Sequence, residues 1–327
     1  MRINIRTFLL FGIIVILSFS SCDGEKKKGL YDDGASGSLS IAYPEQLGNT
    51  MDLIIEKFNE DYPLIKINKN KISGVNDVRE LYKKTDSCDI LIYDDYKLIE
   101  AFLIPNITQW TIKFARDEIV IACNETSLYK DEFITDNWYQ ILLKPNVLFG
   151  RIDPLNKTCG YRTESVFKLA AKYYNNPDLS HELNSKHQDL VYSNSKKLIK
   201  ALKERKIDYA IIFKSMAVNN DLEYFKIPKI MNLNHPDLFN YYSKTNIQIL
   251  DKDSINPYPM QGAPIIYGLS IMGNTPNMNN SLIFSEYFLS KNKGLIDIAN
   301  VGIIPMIPSQ SFYYKILPES LKKFNKE

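Results

Sequence analysis

The chain has 327 residues, 45% of them hydrophobic and 24% charged, with a formal net charge of +2. That length allows two domains of ordinary size, and the apolar content excludes a disordered chain. The near-neutral balance, with no Lys/Arg stripe interleaved with aromatics, argues against nucleic acid as a partner.

The predicted elements begin with an N-terminal signal. Arg2 and Arg6 precede an apolar run over 8–19 that is too short for a membrane span and fits the apolar core of a signal peptide. It ends in Phe19-Ser20-Ser21-Cys22, similar to a bacterial lipobox with Phe where Leu is usual. Residues 1–21 are therefore expected to be removed, with Cys22 lipidated. Residues 22–37, rich in Lys, Gly and Ser, read as a flexible tether. The mature chain is expected in the periplasm or at the cell surface, held to a membrane through Cys22.

Next come a strand at 38–43, an amphipathic helix at 51–58 stopped by Pro63, a strand at 64–67 and a helix at 75–82. A third strand at 88–93 runs into a helix beginning near Asp94-Asp95. This strand-helix alternation predicts a parallel sheet with a ligand crevice at its carboxyl ends. The pattern restarts with a strand at 118–123, helices at 136–143, 163–174 and 195–203, and a strand at 208–213. An apolar strand returns at 263–271, followed by helices at 281–290 and 294–299 and the segment 302–308. Restart and return predict one lobe from 38–117 plus 262–327 and a second from 118–261, with crossings near 116–118 and 261–264 and ligand held between the lobes.

One stretch stands out. A short buried strand over 145–150 passes through a polar loop into a helix that carries Gly160-Tyr161-Arg162 near its start. A loop that delivers backbone N–H groups to a helix N-terminus can seat an anion. The pattern D-P-x-x-x-x-C-G-Y-R at 153–162 resembles the signature loop of the archaeal-type molybdate/tungstate-binding proteins, the solute receptors of oxyanion ABC importers. Other segments extend the resemblance over nearly all of the mature chain. They are Cys88-Asp89-Ile90, Asp95-Tyr96, Leu103-Ile104-Pro105, Trp110 with Lys113-Phe114-Ala115, Thr135-Asp136-Asn137-Trp138-Tyr139 with Ile141-Leu142, Ile207-Asp208-Tyr209 and Pro264-Ile265-Ile266-Tyr267-Gly268.

The resemblance implies a type II periplasmic-binding-protein fold, α/β, with two lobes and an interlobe cleft. It implies that hydroxyls and backbone N–H groups from three loops hold an oxyanion, and that in some members one Asp and one Glu complete an octahedral shell. Here the three loops read Pro44-Glu45-Gln46-Leu47-Gly48, Ser73-Gly74 and Ile92-Tyr93-Asp94-Asp95-Tyr96, so most of the expected serines are missing. The coordinating Asp falls at Lys157, followed by Thr158, and the coordinating Glu at Val218. Val218 has no donor atom and a lysine offers only protons. A family-type octahedral site is therefore not expected.

The candidate ligand residues are Ser73, Tyr93, Asp94, Lys157, Arg162 and Tyr267, with no metal ligands and no cofactor. The expected ligand is a small anionic or polar solute, altered from tungstate or molybdate. The expected partners are an ABC permease, if transport is retained, and the membrane; the chain is expected to be a monomer. Arg162 can brace the loop as readily as it can touch ligand, and Asp94 would repel an anion unless it pairs with Lys157. The alternative is a structural or sensory lipoprotein that reuses the scaffold. Enzyme chemistry has no constellation: His181, His187 and His235 do not form H-E-x-x-H, and neither G-x-S-x-G nor a P-loop occurs. Cys88, Cys123 and Cys159, without C-x-x-C spacing, read as buried thiols.

Overall fold

The structure, a computed structural model, describes residues 35–83, 88–249 and 257–327. The signal segment, Cys22 and most of the expected tether lie outside the described residues.

In chain order the elements are β1 (Gly37–Pro44), α1 (Gly48–Asp61), β2 (Ile65–Ile72), α2 (Val75–Lys83), β3 (Ile90–Tyr93), α3 (Tyr96–Phe102) and β4 (Ile112–Arg116). There follow β5 (Ile119–Cys123), α4 (Trp138–Leu143), β6 (Phe149–Ile152), α5 (Thr158–Tyr173), α6 (Leu179–Ser185), β7 (Val191–Tyr192), α7 (Ser195–Lys203), β8 (Tyr209–Phe213), α8 (Lys214–Val218) and β9 (Glu223–Lys226). The last part holds α9 (Phe239–Tyr242), β10 (Asn246–Ile249), β11 (Tyr258–Gln261), β12 (Ile266–Ile271), α10 (Met278–Leu289), α11 (Gly294–Asn300) and β13 (Ile304–Pro305).

Two sheets carry the fold. The first has the order β13-β4-β12-β3-β1-β2 and the second β7-β6-β8-β5-β9. β1 runs parallel to β2 and β3, as the strand-helix alternation predicts. The sheet is nevertheless mixed, because β12 enters between β3 and β4 and is antiparallel to both. The second sheet is mixed in the same way: β6 and β8 are parallel, while β5 is antiparallel to β8 and β9. An order of helices and strands does not reveal the direction of a strand that returns from far along the chain.

The core follows from periodicity. All four residues of β3 are buried, as expected for a central strand written as an unbroken apolar run. On α1 the buried residues Met51, Ile54, Ile55 and Phe58 recur at 3, 4 and 7 positions, one stripe of a helix. Phe58 meets Phe284 of α10 at 5.0 Å between ring centroids, and Phe114 of β4 meets Phe288 at 5.1 Å. In the second lobe, Trp138 stacks on Phe167 at 6.4 Å and Phe133 on Phe225 at 4.2 Å. Burying one such ring contributes about 1.5–3 kcal/mol.

The β10–β11 ribbon is a detail that the pattern did not suggest. Ile247, Ile249 and Met260 share a cluster with Val75 and Val78 of α2 and Leu98 and Ile99 of α3. This ribbon, inside the span 118–261, thus packs on helices of the first sheet. Its alternation of exposed and buried residues is short and polar, so it is faint in the sequence.

Candidate functional site

Three loops leave the carboxyl ends of first-sheet strands. β1 ends at Pro44 and turns through a single 3-10 turn, Glu45–Leu47, which presents Gln46. β2 ends at Ile72 before Ser73 and Gly74, and β3 ends at Tyr93 before Asp94 and Asp95. Facing them from the second lobe are the end of β6, the start of α5, the start of α7 and Met216 of α8. Together they line a cavity of about 30 Å³. Its wall includes Gln46, Ser73, Tyr93, Asp94, Lys157 and Thr158. The cavity is not closed off from the wider cleft, with which it shares Gln46 and Ser195, and a ligand of a few heavy atoms suits its depth.

Four of the six predicted ligand residues, Ser73, Tyr93, Asp94 and Lys157, lie in this wall; Arg162 and Tyr267 do not. Asp94 is 3% exposed. Gln46 Nε2 donates to its Oδ2 at 2.5 Å, and Thr158 Oγ1 donates to its Oδ1 at 2.9 Å. Burial pushes the Asp94 carboxyl up to about 7; the hydrogen bonds from Thr158 and Gln46 work against the rise, and the nearby Asp95 adds to it. Tyr93 is also buried, its Oη 3.4 Å from Thr158 Oγ1, and burial raises its phenol well above the usual range.

Lys157 does not neutralise Asp94. Its Nζ donates to Ser73 Oγ at 2.9 Å, and among the described residues no cation lies within ion-pair distance of Asp94. The physical reason is position. Lys157 is the N-cap residue of α5 and reaches outward to the second loop, whereas Thr158, one residue inside the helix, faces Asp94.

Arg162 lies one turn further along α5, fully buried. Its Nη2 donates to Asp95 Oδ2 at 2.5 Å and its Nη1 to the Ala263 carbonyl at 2.9 Å. Tyr161 Oη donates to the same Asp95 oxygen at 2.6 Å. Asp95 is in turn the N-cap of α3, accepting from Lys97 N–H. One buried ion pair thus ties α5 to the head of α3 and to the strand crossing at Ala263. Burial is the largest influence and works against the Arg162 charge, but Asp95 together with Tyr161 and Tyr96 leaves the guanidinium raised. Tyr267 Oη sits 3.4 Å from Asp117 Oδ2 at the other crossing. Asp117 also accepts from Glu118 N–H and Ser215 N–H, and burial lifts its carboxyl to about 6.

Further contacts span the cleft. The Asn156 carbonyl accepts from Val75 N–H at 3.0 Å, and Asn156 Oδ1 accepts from Asn76 N–H at 3.2 Å, so a loop of the second lobe caps α2 of the first. Gly74 makes room for this: a Cβ there would lie 2.4 Å from the Asn156 carbonyl oxygen. Gly160 has the same role within the signature loop, where a Cβ would lie 2.1 Å from the Asp153 carbonyl oxygen. α5 begins at Thr158, five residues before the start expected from periodicity, because its first turn is packed beneath that loop rather than patterned by apolar residues.

Outside the inner cavity, and sharing Glu45, Gln46, Ser195 and Met216 with it, the cleft widens to about 620 Å³. Lys71, Lys196, Lys200 and Lys203 line this outer space, together with Glu45 and Glu204. Such a lysine-rich mouth raises the local concentration of anions. Among the described residues no group of three or more His, Cys, Asp or Glu is placed to hold an ion. Val218, where the resemblance puts the coordinating Glu, ends α8 near Gly302 and lies outside the cavity wall. In the sequence Gln46 and Thr158 stand out only as replacements for other residues. Their common role as donors to one carboxylate needs the two lobes brought together, and no local signal announces it.

Residues 39–293 match the profile of a family described as bacterial extracellular solute-binding protein. An uncharacterized solute-binding protein of Petrotoga mobilis is 31% identical over 293 residues, covering 89% of this chain and 88% of its own. The molybdate/tungstate-binding protein WtpA of Pyrococcus abyssi is 29% identical over 280 residues, covering 78% of this chain and 79% of its own. Among solved structures, the periplasmic molybdate-binding protein of Azotobacter vinelandii superposes with a TM-score of 0.56 at 11% identity, over 81% of this chain and 98% of its own. That likeness establishes the type II periplasmic-binding-protein fold, two α/β lobes with a cleft between them.

Proposed function

The chain belongs to the bacterial extracellular solute-binding protein family, and from that premise we propose that it is the extracytoplasmic receptor of an ABC importer, with a ligand altered from tungstate or molybdate. Its role is to capture and deliver, not to catalyse. Ser73, Tyr93, Asp94 and Lys157 are the proposed ligand contacts, while Arg162 and Tyr267 act behind them, setting how the lobes meet. The crossings at 116–118 and 261–264 are the proposed hinge.

The observation that carries the altered ligand is the composition of the cavity wall. Where the WtpA-type receptors would place two carboxylates on the metal of a tungstate, this chain has Lys157 and Val218, while an added carboxylate, Asp94, stands in the wall. An acceptor-only carboxylate beside a fully deprotonated oxyanion is repulsive. Each hydrogen bond lost to a charged oxygen costs about 1.5–3 kcal/mol, and about 1.4 kcal/mol is a factor of ten in affinity.

A second reading, a structural or sensory lipoprotein on the same scaffold, draws on the small inner cavity and its Tyr93 wall. A thermal-shift screen against oxyanions and small polar metabolites separates the two. A ligand at one hundred times its dissociation constant adds about 2.7 kcal/mol. Import predicts that at least one solute stabilises the protein; no response to any solute favours the second reading. The proposed anchor is tested separately: a palmitate analogue should label the wild type and not Cys22→Ser, and equal labelling of both would remove the anchor from the account.

A further inference from the structure

We propose that the inner cavity takes a tetrahedral oxyanion together with one proton shared with Asp94, so that it prefers a protonated ion, inorganic hydrogen phosphate being the simplest, over a fully deprotonated one such as sulfate. This rests on the solute-binding reading of the cleft and names the class of its ligand.

The wall brings free hydrogens from two side chains. The Gln46 amide keeps one beyond its bond to Asp94 and the Lys157 ammonium keeps two beyond its bond to Ser73, while the hydroxyl hydrogens of Thr158 and Ser73 are committed to Asp94 and Asp77. Asp94 brings none. An ionised carboxylate has about four acceptor positions and no hydrogen to give. Two of those positions are used by Gln46 and Thr158, and another receives its own backbone N–H. What remains turned to the cavity can only accept. An oxyanion seated against it therefore needs a hydrogen between the two oxygens, supplied either by the ligand or by Asp94 itself.

The charges around Asp94 do not relieve this requirement. On its own loop, Asp95 is committed to Arg162 of α5. At the head of α2, Asp77 is held by the N–H groups of Ser73 and Gly74. From α5, Lys157 reaches Ser73, while Cys159 and Tyr161 are buried and pushed up by that burial, so they remain neutral. Tyr93 and Tyr267 are neutral for the same reason. Glu45, on the first loop, adds negative charge to the wall. Lys157 gives the ligand one cation, and Asp94 imposes the proton.

Phosphate keeps a proton at pH 8.5, whereas sulfate has none to offer. Calorimetric titration of the purified protein with sulfate and with inorganic phosphate, at pH 6 and pH 8.5, reads the difference. At pH 8.5 the wild type is expected to bind phosphate at least tenfold more tightly than sulfate. At pH 6, where Asp94 supplies the proton, sulfate should gain about tenfold or more and the gap should narrow. Asp94→Asn, which presents N–H donors of the same shape, should bring the two anions within about threefold of each other at both pH values. Equal affinities in the wild type at pH 8.5, a preference that survives Asp94→Asn, or binding of neither anion at millimolar concentration would each overturn the proposal. If Asp94→Asn does not fold, the wild-type comparison at the two pH values decides alone. When neither anion binds but the wider solute screen finds another ligand, only the protonated-oxyanion class falls; when that screen is also empty, the receptor reading falls with it.

Discussion

Asp94 gives the most quantitative prediction. Its carboxyl is held at about 7 by burial, against the ordinary 3.8. Folded protein therefore keeps a proton that the unfolded chain loses, and between these two values the folded state binds more protons. Stability must then fall as pH rises through that window, the reverse of the behaviour of a salt-bridged aspartate. At about 1.4 kcal/mol per pH unit, the accumulated cost above pH 7 is at most about 4 kcal/mol. Asp94→Asn has no proton to lose and keeps acceptor and donor atoms for Thr158 and Gln46. The stability difference, variant minus wild type, should rise steadily from pH 4 to pH 7 and then level off. Asp117, raised by burial to about 6, titrates in both proteins and cancels in the difference. Urea unfolding at four pH values between 4 and 8 measures the curve. Parallel profiles for the two proteins would refute the reasoning, since they would mean that Asp94 ionises as an exposed carboxylate does.

Three other outcomes are expected. Arg162→Met leaves Asp95 buried without its cation and should cost about 3–5 kcal/mol; a melting temperature near wild type would show that the pair is dispensable. Asn156→Ala removes the side-chain cap on α2, which should cost about 1 kcal/mol and open the cleft; an unchanged stability and an unchanged radius of gyration in X-ray scattering would count against the cross-cleft cap. Cys88, Cys123 and Cys159 are buried and unpaired, and burial pushes Cys123 up to about 11 and Cys88 to about 12. A maleimide should leave all three unmodified at pH 8 until the protein is denatured, and peptide-level labelling of the native form would contradict their burial.

The parts of the fold written locally were legible. The unbroken apolar run of β3, the stripe Met51, Ile54, Ile55 and Phe58, and the cap-and-lysine pattern of α7 each state an element in adjacent residues. The direction of β12 was not legible, because its neighbours β3 and β4 are separated from it by some 150 residues or more. The site divides in the same way. Ser73, Tyr93, Asp94 and Lys157 follow strand ends or begin a helix, so their place in the cleft could be read from topology. Arg162 could not be separated into brace or ligand contact by sequence, since its partner Asp95 lies 67 positions away and the choice depends on which side of α5 meets the first lobe. The pairing of Asp94 with Lys157, reasonable by charge, gives way to Gln46 and Thr158 because α5 begins one residue beyond Lys157 and turns the hydroxyl, not the ammonium, toward the carboxylate.

The central claim is that the ligand has moved away from tungstate and molybdate, and calorimetric titration of the purified protein with both anions at pH 8 tests it most directly. The wall of Asp94, Lys157 and Tyr93 predicts no submicromolar binding of either anion. Submicromolar affinity for tungstate or molybdate would contradict the account.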